Sequence, residues 1–325
     1  MGFTKIVISK SSTHISLAGG LGNQLFQLAA GLYVAQGGAL YLNTAFGNLR
    51  KNSDGEAELL SFLLPDNVIV EKNRSAPWFL RKIAGFFLKR DIYSRTYRLI
   101  SLATQLTAVA SSIPISLFLR RKISIKHGRD LSVLRNSLQS KNILLFGYFQ
   151  TYRWVEDLGV KKGLNDISIH SESRNLDVYK QLSKIERPMV VHVRLGDYLL
   201  EERFGTLSKE YYEKAIDRIL KYGKCNTIWL FSDEIEKAKC LIPKNLDMPV
   251  RFIDNNNDST SVVFEIMRLG YGYVIANSTF SWWAAYLSRN PNTPVIAPYP
   301  WFEGITEPLN LIPVSWLRLD GNVFT

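Results

Sequence analysis

The chain has 325 residues, 46% hydrophobic and 21% charged, which is ample for one large α/β domain or two ordinary ones and argues against global disorder. Only two cysteines, Cys225 and Cys240, and four scattered histidines are present, which argues against a disulfide scaffold or a Cys/His zinc site. The net charge of +11 is local: twelve Lys or Arg against the single acid Asp91 lie between Lys72 and Lys126, so the rest is neutral in sum and does not point to nucleic acid.

The first twenty residues carry neither the apolar core of a signal peptide nor a membrane anchor, which predicts a cytoplasmic protein. A strand is predicted over His14–Leu17, then the turn Gly19-Gly20-Leu21-Gly22-Asn23-Gln24, a helix from Leu25 to about Gln36 and a strand from Ala39 to Asn43. This βαβ start lets backbone amides at a helix start approach a ligand closely. Leu25 stands where the third glycine of a dinucleotide fingerprint belongs, so a Rossmann cofactor is weakly supported and a structural turn is the plainer account.

From about Gly47 to Lys141 the chain is aromatic, basic and irregular, and few elements can be placed. Leu99–Leu119 is uncharged over 21 residues, but eight of them are Ser, Thr, Gln or Pro, which reads as amphipathic or buried rather than spanning. Two readings of the basic segment stand. In one it lies on the anionic inner face of a membrane and holds the protein there peripherally; in the other its helices pack on the N-terminal part with a solvated basic face. An apolar strand follows over Ile143–Phe149, with a short helix near Trp154.

From Arg187 the alternation becomes regular. Strands are predicted at Met189–Val193, Thr227–Phe231, Val250–Ile253, Tyr273–Ala276 and Pro294–Ala297, separated by helices at Ser208–Lys221, Glu234–Leu241, Ser261–Gly270 and Thr279–Arg289. This is the pattern of a doubly wound parallel sheet. Arg194 and Asp197, Ser232 and Asp233, and Asn277 to Thr279 all follow strand carboxyl ends, where such sheets bind ligands.

Each motif has two readings. Arg194 in His192-Val193-Arg194-Leu195-Gly196-Asp197 has the planar fork that suits a diphosphate, or it forms an internal ion pair with Asp197. The hydroxyls of Asn277-Ser278-Thr279-Phe280 sit at a helix start that favours an anion, or they are an N-cap. Asp233 alone reads as the first turn of a helix. There is no D-x-D triplet, so a metal held by one has no evident ligands.

In order, GGLGNQLFQ (19–27), GYFQ (147–150), HVRLGDY (192–198), FSDE (231–234), IANSTFSWWAA (275–285) and VIAPYPWF (295–302) closely resemble the bacterial α-1,2-fucosyltransferases of glycosyltransferase family 11. Only the middle, roughly Asn48–Lys141, is unmatched, and Leu195 replaces the second of two arginines usual in the family. The resemblance implies a GT-B architecture: an acceptor-side lobe over 1–186 with an insertion at about 48–141, and a GDP-fucose lobe over 187–325. It implies inverting, metal-independent transfer from GDP-β-L-fucose to a galactose 2-hydroxyl, in a lipid-linked O-antigen or lipopolysaccharide glycan.

By position, the resemblance gives Arg194 the β-phosphate and Ser278, Thr279 and Phe280 the diphosphate. His192 lies by the nucleoside, and Asn23 reaches the donor from the other lobe. Gly20, Gly22, Ser232, Asp233 and Asn277 complete the donor-side candidates, with Asp258 and Glu265 as acidic partners for guanine. Asp197 is a candidate base, with an ion pair to Arg194 as its equal alternative. The rival readings are another nucleotide-sugar transferase on the same scaffold, or a noncatalytic carbohydrate-binding or membrane-surface protein.

Overall fold

Two runs of β-branched and apolar residues, PMVVHV and TIWLFS, are buried at every position, as strands covered on both faces must be. They form the centre of a parallel sheet in a computed structural model, which describes residues 12–44, 57–71, 123–126, 142–145, 147–170, 173–196, 205–253, 258–303 and 307–321. Two compact units emerge, one of residues 1–60 and 64–167, the other of 61–63 and 168–325. The division at 167/168, rather than the expected 186/187, puts the helix Arg174–Glu186 in the second unit.

In chain order the first unit holds β1 (Ser12–Ser16), α1 (Leu21–Ala35) and β2 (Leu40–Asn43). After the two-residue strand β3 (Phe62–Leu63) of the second unit come β4 (Val68–Glu71), β5 (Ile123–Lys126), β6 (Asn142–Leu145) and α2 (Leu158–Asn165). The sheet order is β4-β2-β1-β6-β5, all parallel, with Ile15 opposite Leu42 on one side and Leu145 on the other. The irregular middle thus supplies two strands of this sheet, β4 and β5, that no periodicity announced. Beyond these strands the basic segment Lys72–Lys126 lies outside the described residues, and so does its expected membrane contact. Among the described residues no helix is long and apolar enough to cross a membrane.

The second unit continues with β7 (Ser168–Ile169), which pairs antiparallel with β3, then α3 (Arg174–Glu186), β8 (Pro188–Val193), α4 (Lys209–Leu220) and β9 (Thr227–Ser232). There follow α5 (Ile235–Ala238), β10 (Val250–Phe252), α6 (Thr260–Met267), β11 (Gly272–Val274), α7 (Thr279–Tyr286), β12 (Val295–Tyr299) and β13 (Leu317–Asp320). Its sheet runs β10-β9-β8-β11-β12-β13, every pair parallel. This is the doubly wound order, reversing between β8 and β11. Serine N-caps start α3, α4, α6 and α7, each accepting a first-turn amide. The core between sheet and α4 is made by Met189, Val191, Val193, Ile228, Leu230, Val274, Ala215, Ile216 and Ile219.

Helix α1 begins at Leu21, four residues before the first apolar position that suggested its start, because Asn23 and Gln24 already donate backbone bonds to the Gly20 carbonyl. The turn before it depends on Gly19, which has φ +82 and would place a methyl 2.9 Å from Asn23 Nδ2. Gly20 has extended backbone, and a methyl there meets only Glu58 Oε2 at 3.7 Å. Gly19→Ala should therefore cost about 1–3 kcal/mol of stability, whereas Gly20→Ala should be nearly neutral. Paired urea melts check this; equal losses would contradict it.

Candidate active site

The carboxyl ends of β8 and β11 flank the reversal of the second sheet, the crevice where open α/β sheets take ligands. Two adjacent side chains on α4 hold these ends. Tyr212 donates its hydroxyl to the His192 carbonyl (3.3 Å), and Tyr211 donates to the Ile275 carbonyl (2.7 Å). Both rings are 1% exposed. Burial pushes both phenols well above their ordinary range, so they remain donors. Nothing in the sequence pattern singles these tyrosines out, since a pair at a helix start reads simply as core.

Arg194 leaves β8 at this point. Its Nη1 lies 3.1 Å from Asp233 Oδ2, and each side chain is about a quarter exposed. The other carboxylate oxygen accepts the Leu195 amide at 3.0 Å. Asp233 therefore reads the guanidinium and the backbone beside it at once. Gly196 permits this approach, since a methyl there would sit 2.6 Å from Asp233 Oδ2. Asp233, read singly from the sequence as the first turn of a helix and by resemblance as a donor-side residue, is thus an ion-pair partner of Arg194; Asp197, with its expected pair to Arg194, lies outside the described residues. Leu195, in place of a second arginine, is buried in the core.

Across the reversal, Asn277 is 1% exposed and donates to the Gly205 carbonyl at 3.3 Å. Ser278 is the N-cap of α7, its Oγ accepting the Phe280 amide at 3.4 Å. Capping thus occupies Ser278 Oγ, while Thr279 heads the helix half-buried. Ser232 accepts the Glu234 amide (3.0 Å) and shapes the turn that carries Asp233. Glu265 has both oxygens engaged, by Arg268 at 2.6 Å and Arg289 at 2.9 Å. Asp258 accepts from Asn175 Nδ2. Among the described residues no group of three His, Cys, Asp or Glu could hold a metal.

His192 is 5% exposed on β8, and its Nδ1 has no hydrogen-bond partner among the described residues. Its ring centroid is 6.3 Å from that of Phe280. Burial, and then the Arg194 charge, push the imidazole down to about 3, against a smaller opposing pull from Asp233. The folded protein thus keeps His192 neutral where the unfolded chain protonates it. Stability from this group is full above the unfolded value near 6.5 and lost as pH falls toward 3. The slope is about 1.4 kcal/mol per pH unit within that window. Urea melts at successive pH values should show wild type losing more stability between pH 6 and 4 than His192→Gln; parallel curves would refute the neutral buried ring.

In the first unit the reversal lies between β1 and β6, and the glycine turn meets the GYFQ loop there. Gln24 Nε2 donates to the Gly19 carbonyl (2.7 Å) while its Oε1 accepts the Leu59 amide (2.8 Å). Gln27 Nε2 donates to the Gly147 carbonyl (2.9 Å) and its Oε1 accepts the Ala18 amide (2.9 Å). Both glutamines are fully buried, as is tolerable only because each end is paired. Asn23 is half-buried, and its Oδ1 accepts Gln150 Nε2 at 2.9 Å. Gly22 lies buried within the first turn of α1, and Glu58 Oε2 accepts the Leu21 amide at 2.6 Å.

A family model described as glycosyl transferase family 11 matches residues 12–304. The chain belongs to this family. It is 27% identical over 322 residues to the O-antigen biosynthesis glycosyltransferase WbnK of Escherichia coli, covering 93% of this chain and 99% of that one. It is 29% identical over 322 residues to an alpha-1,2-colitosyltransferase of Escherichia coli, covering 94% and 97%. Among solved structures, the fucosyltransferase NodZ from Bradyrhizobium matches with a TM-score of 0.47 and 15% identity, covering 86% of this chain and 92% of that one. POFUT1 in complex with GDP-fucose matches with a TM-score of 0.47 and 12% identity, covering 90% and 99%. The assignment rests on the family match.

Proposed function

We propose that this family 11 glycosyltransferase moves L-fucose, with inversion, from GDP-β-L-fucose to the 2-hydroxyl of a galactose residue in an O-antigen or lipopolysaccharide glycan. The observation that carries this reading is Arg194, aimed by Asp233 at the sheet reversal beside the start of α7. In the transfer the bond from C1 to the diphosphate oxygen breaks, and its electron pair leaves with the nucleotide. The acceptor oxygen attacks C1 from the opposite face and its proton passes to a base, for which Asp197 is proposed. Charge growing on the leaving diphosphate is met by the Arg194 fork and the α7 amides, preorganised before the reaction. His192, held neutral, leaves that charge to Arg194 and the α7 amides.

A second reading keeps the site and changes the donor to a colitosyl nucleotide, favoured by the 29% identity to a protein named an alpha-1,2-colitosyltransferase. Nucleotide release from a panel of GDP-fucose, GDP-colitose and UDP-sugars with a galactose-terminated acceptor separates the two. Release from GDP-fucose with a new α-1,2 linkage is expected; release from GDP-colitose alone replaces the first reading, and release from none overturns both.

Arg194→Ala should lower kcat by about 10²-fold, as loss of an oxyanion donor does, in a protein that still folds. Arg194→Lys should recover little, because the fork is lost. A folded alanine variant with near-normal kcat would remove Arg194 from the mechanism. With phosphate charge met by protein groups, EDTA should leave transfer largely intact, and a loss restored by Mn²⁺ or Mg²⁺ would contradict this.

A further inference from the structure

The loop after β6 holds an uncommon backbone. Phe149 is a bulky, 1% exposed residue at φ +50, in the left-handed region that such side chains rarely adopt. Its carbonyl is gripped twice, by Trp154 Nε1 at 2.6 Å and by the Thr151 amide at 2.9 Å. Strain of this kind persists only where the surroundings impose it, and it gathers at working sites. The next residue is Gln150, 7% exposed, whose Nε2 donates to Asn23 Oδ1.

In that bond Asn23 Oδ1 is the acceptor. With Oδ1 taken as acceptor, the other end of the amide is the N–H₂ group, which has no partner among the described residues. Gly19 leaves room for it, since any Cβ there would collide with Nδ2. The group sits at the carboxyl ends of β1 and β6, where the first sheet reverses and where such sheets take ligands.

We propose that Gln150, held by the strained Phe149 turn, is a positioning residue that locks the Asn23 amide so that its N–H₂ donates to a substrate oxygen. The oxygen is a hydroxyl, ring or phosphate oxygen of either the nucleotide sugar or the glycan acceptor. This rests on the glycosyl-transfer reading for its turnover arm only.

Gln150→Glu tests the polarity with a one-atom change. A carboxylate cannot donate, so Asn23 turns its N–H₂ toward residue 150 and presents its oxygen to the substrate instead. Gln150→Met removes the grip without reversing it. The expected order of kcat/KM is wild type, then Gln150→Met, then Gln150→Glu, with Gln150→Glu and Asn23→Asp both down about 10- to 100-fold, as for loss of one hydrogen bond to a charged or developing charge. Loss on the nucleotide-sugar KM and on donor hydrolysis without acceptor places the oxygen on the donor; loss on the acceptor KM alone places it on the glycan. A merely structural Gln150 would make the two Gln150 variants alike in kcat/KM at matched stability, which would overturn the proposal.

The second arm needs no turnover. In protein labelled with ¹⁵N-Asn and ¹⁵N-Gln, the Asn23 side-chain signal is identified by its loss in Asn23→Asp. Its protons should exchange fast in wild type while those of Gln150 are protected, and should become protected in Gln150→Glu. Protected Asn23 protons in wild type would refute the lock, whatever sugar the enzyme transfers; correct exchange with no transfer from any nucleotide sugar would sink the functional reading and leave the lock standing.

Discussion

The order of strands in the second sheet governs everything described at the candidate site. With β8 and β11 adjacent, their chains depart to opposite faces and leave a gap at their carboxyl ends. Arg194 and the start of α7 then face one gap although more than eighty residues separate them in sequence. Neighbouring strands are about 4.8 Å apart, so no loop has to reach far. Tyr211 and Tyr212 bond the carbonyls at these two ends, and a site built on held strand ends is better defined than one on free loops.

Charge at this site is arranged by burial as much as by pairing. Arg194 has a carboxylate partner just past the end of the next strand, so it is oriented before any ligand arrives. Beside it, His192 is made neutral by the same burial that makes β8 a core strand. A protonated ring there would reinforce the arginine but would have to carry an uncompensated charge into the interior.

The first unit solves a different problem. Its glycine turn exposes backbone amides and carbonyls inside a buried junction, and Gln24 and Gln27 satisfy them in both directions. The Asn-Gln-x-x-Gln pattern therefore divides by task. The two glutamines keep the turn in shape, and the asparagine is the one whose amide nitrogen has no partner among the described residues.

Much was legible in one dimension. Buried runs such as 189–193 and 227–231, serine caps and punctuating glycines mark β8 to β12 and α4 to α7 by local physics, and the parallel order follows from their alternation; α3, β7 and β13 are not among the predicted elements. The six motifs determine the family, because the residue types at strand ends are dictated by chemistry that the chain must carry at those positions. Pairings were not legible. That Asp233 serves Arg194, that Glu265 pairs with Arg268 and Arg289, that Gly19 rather than Gly20 carries the turn, and that Gln150 grips Asn23 across 127 positions depend on which strand ends become neighbours. Sequence periodicity records which face of an element is buried; only the packed sheet decides what that face, or the end of its strand, meets.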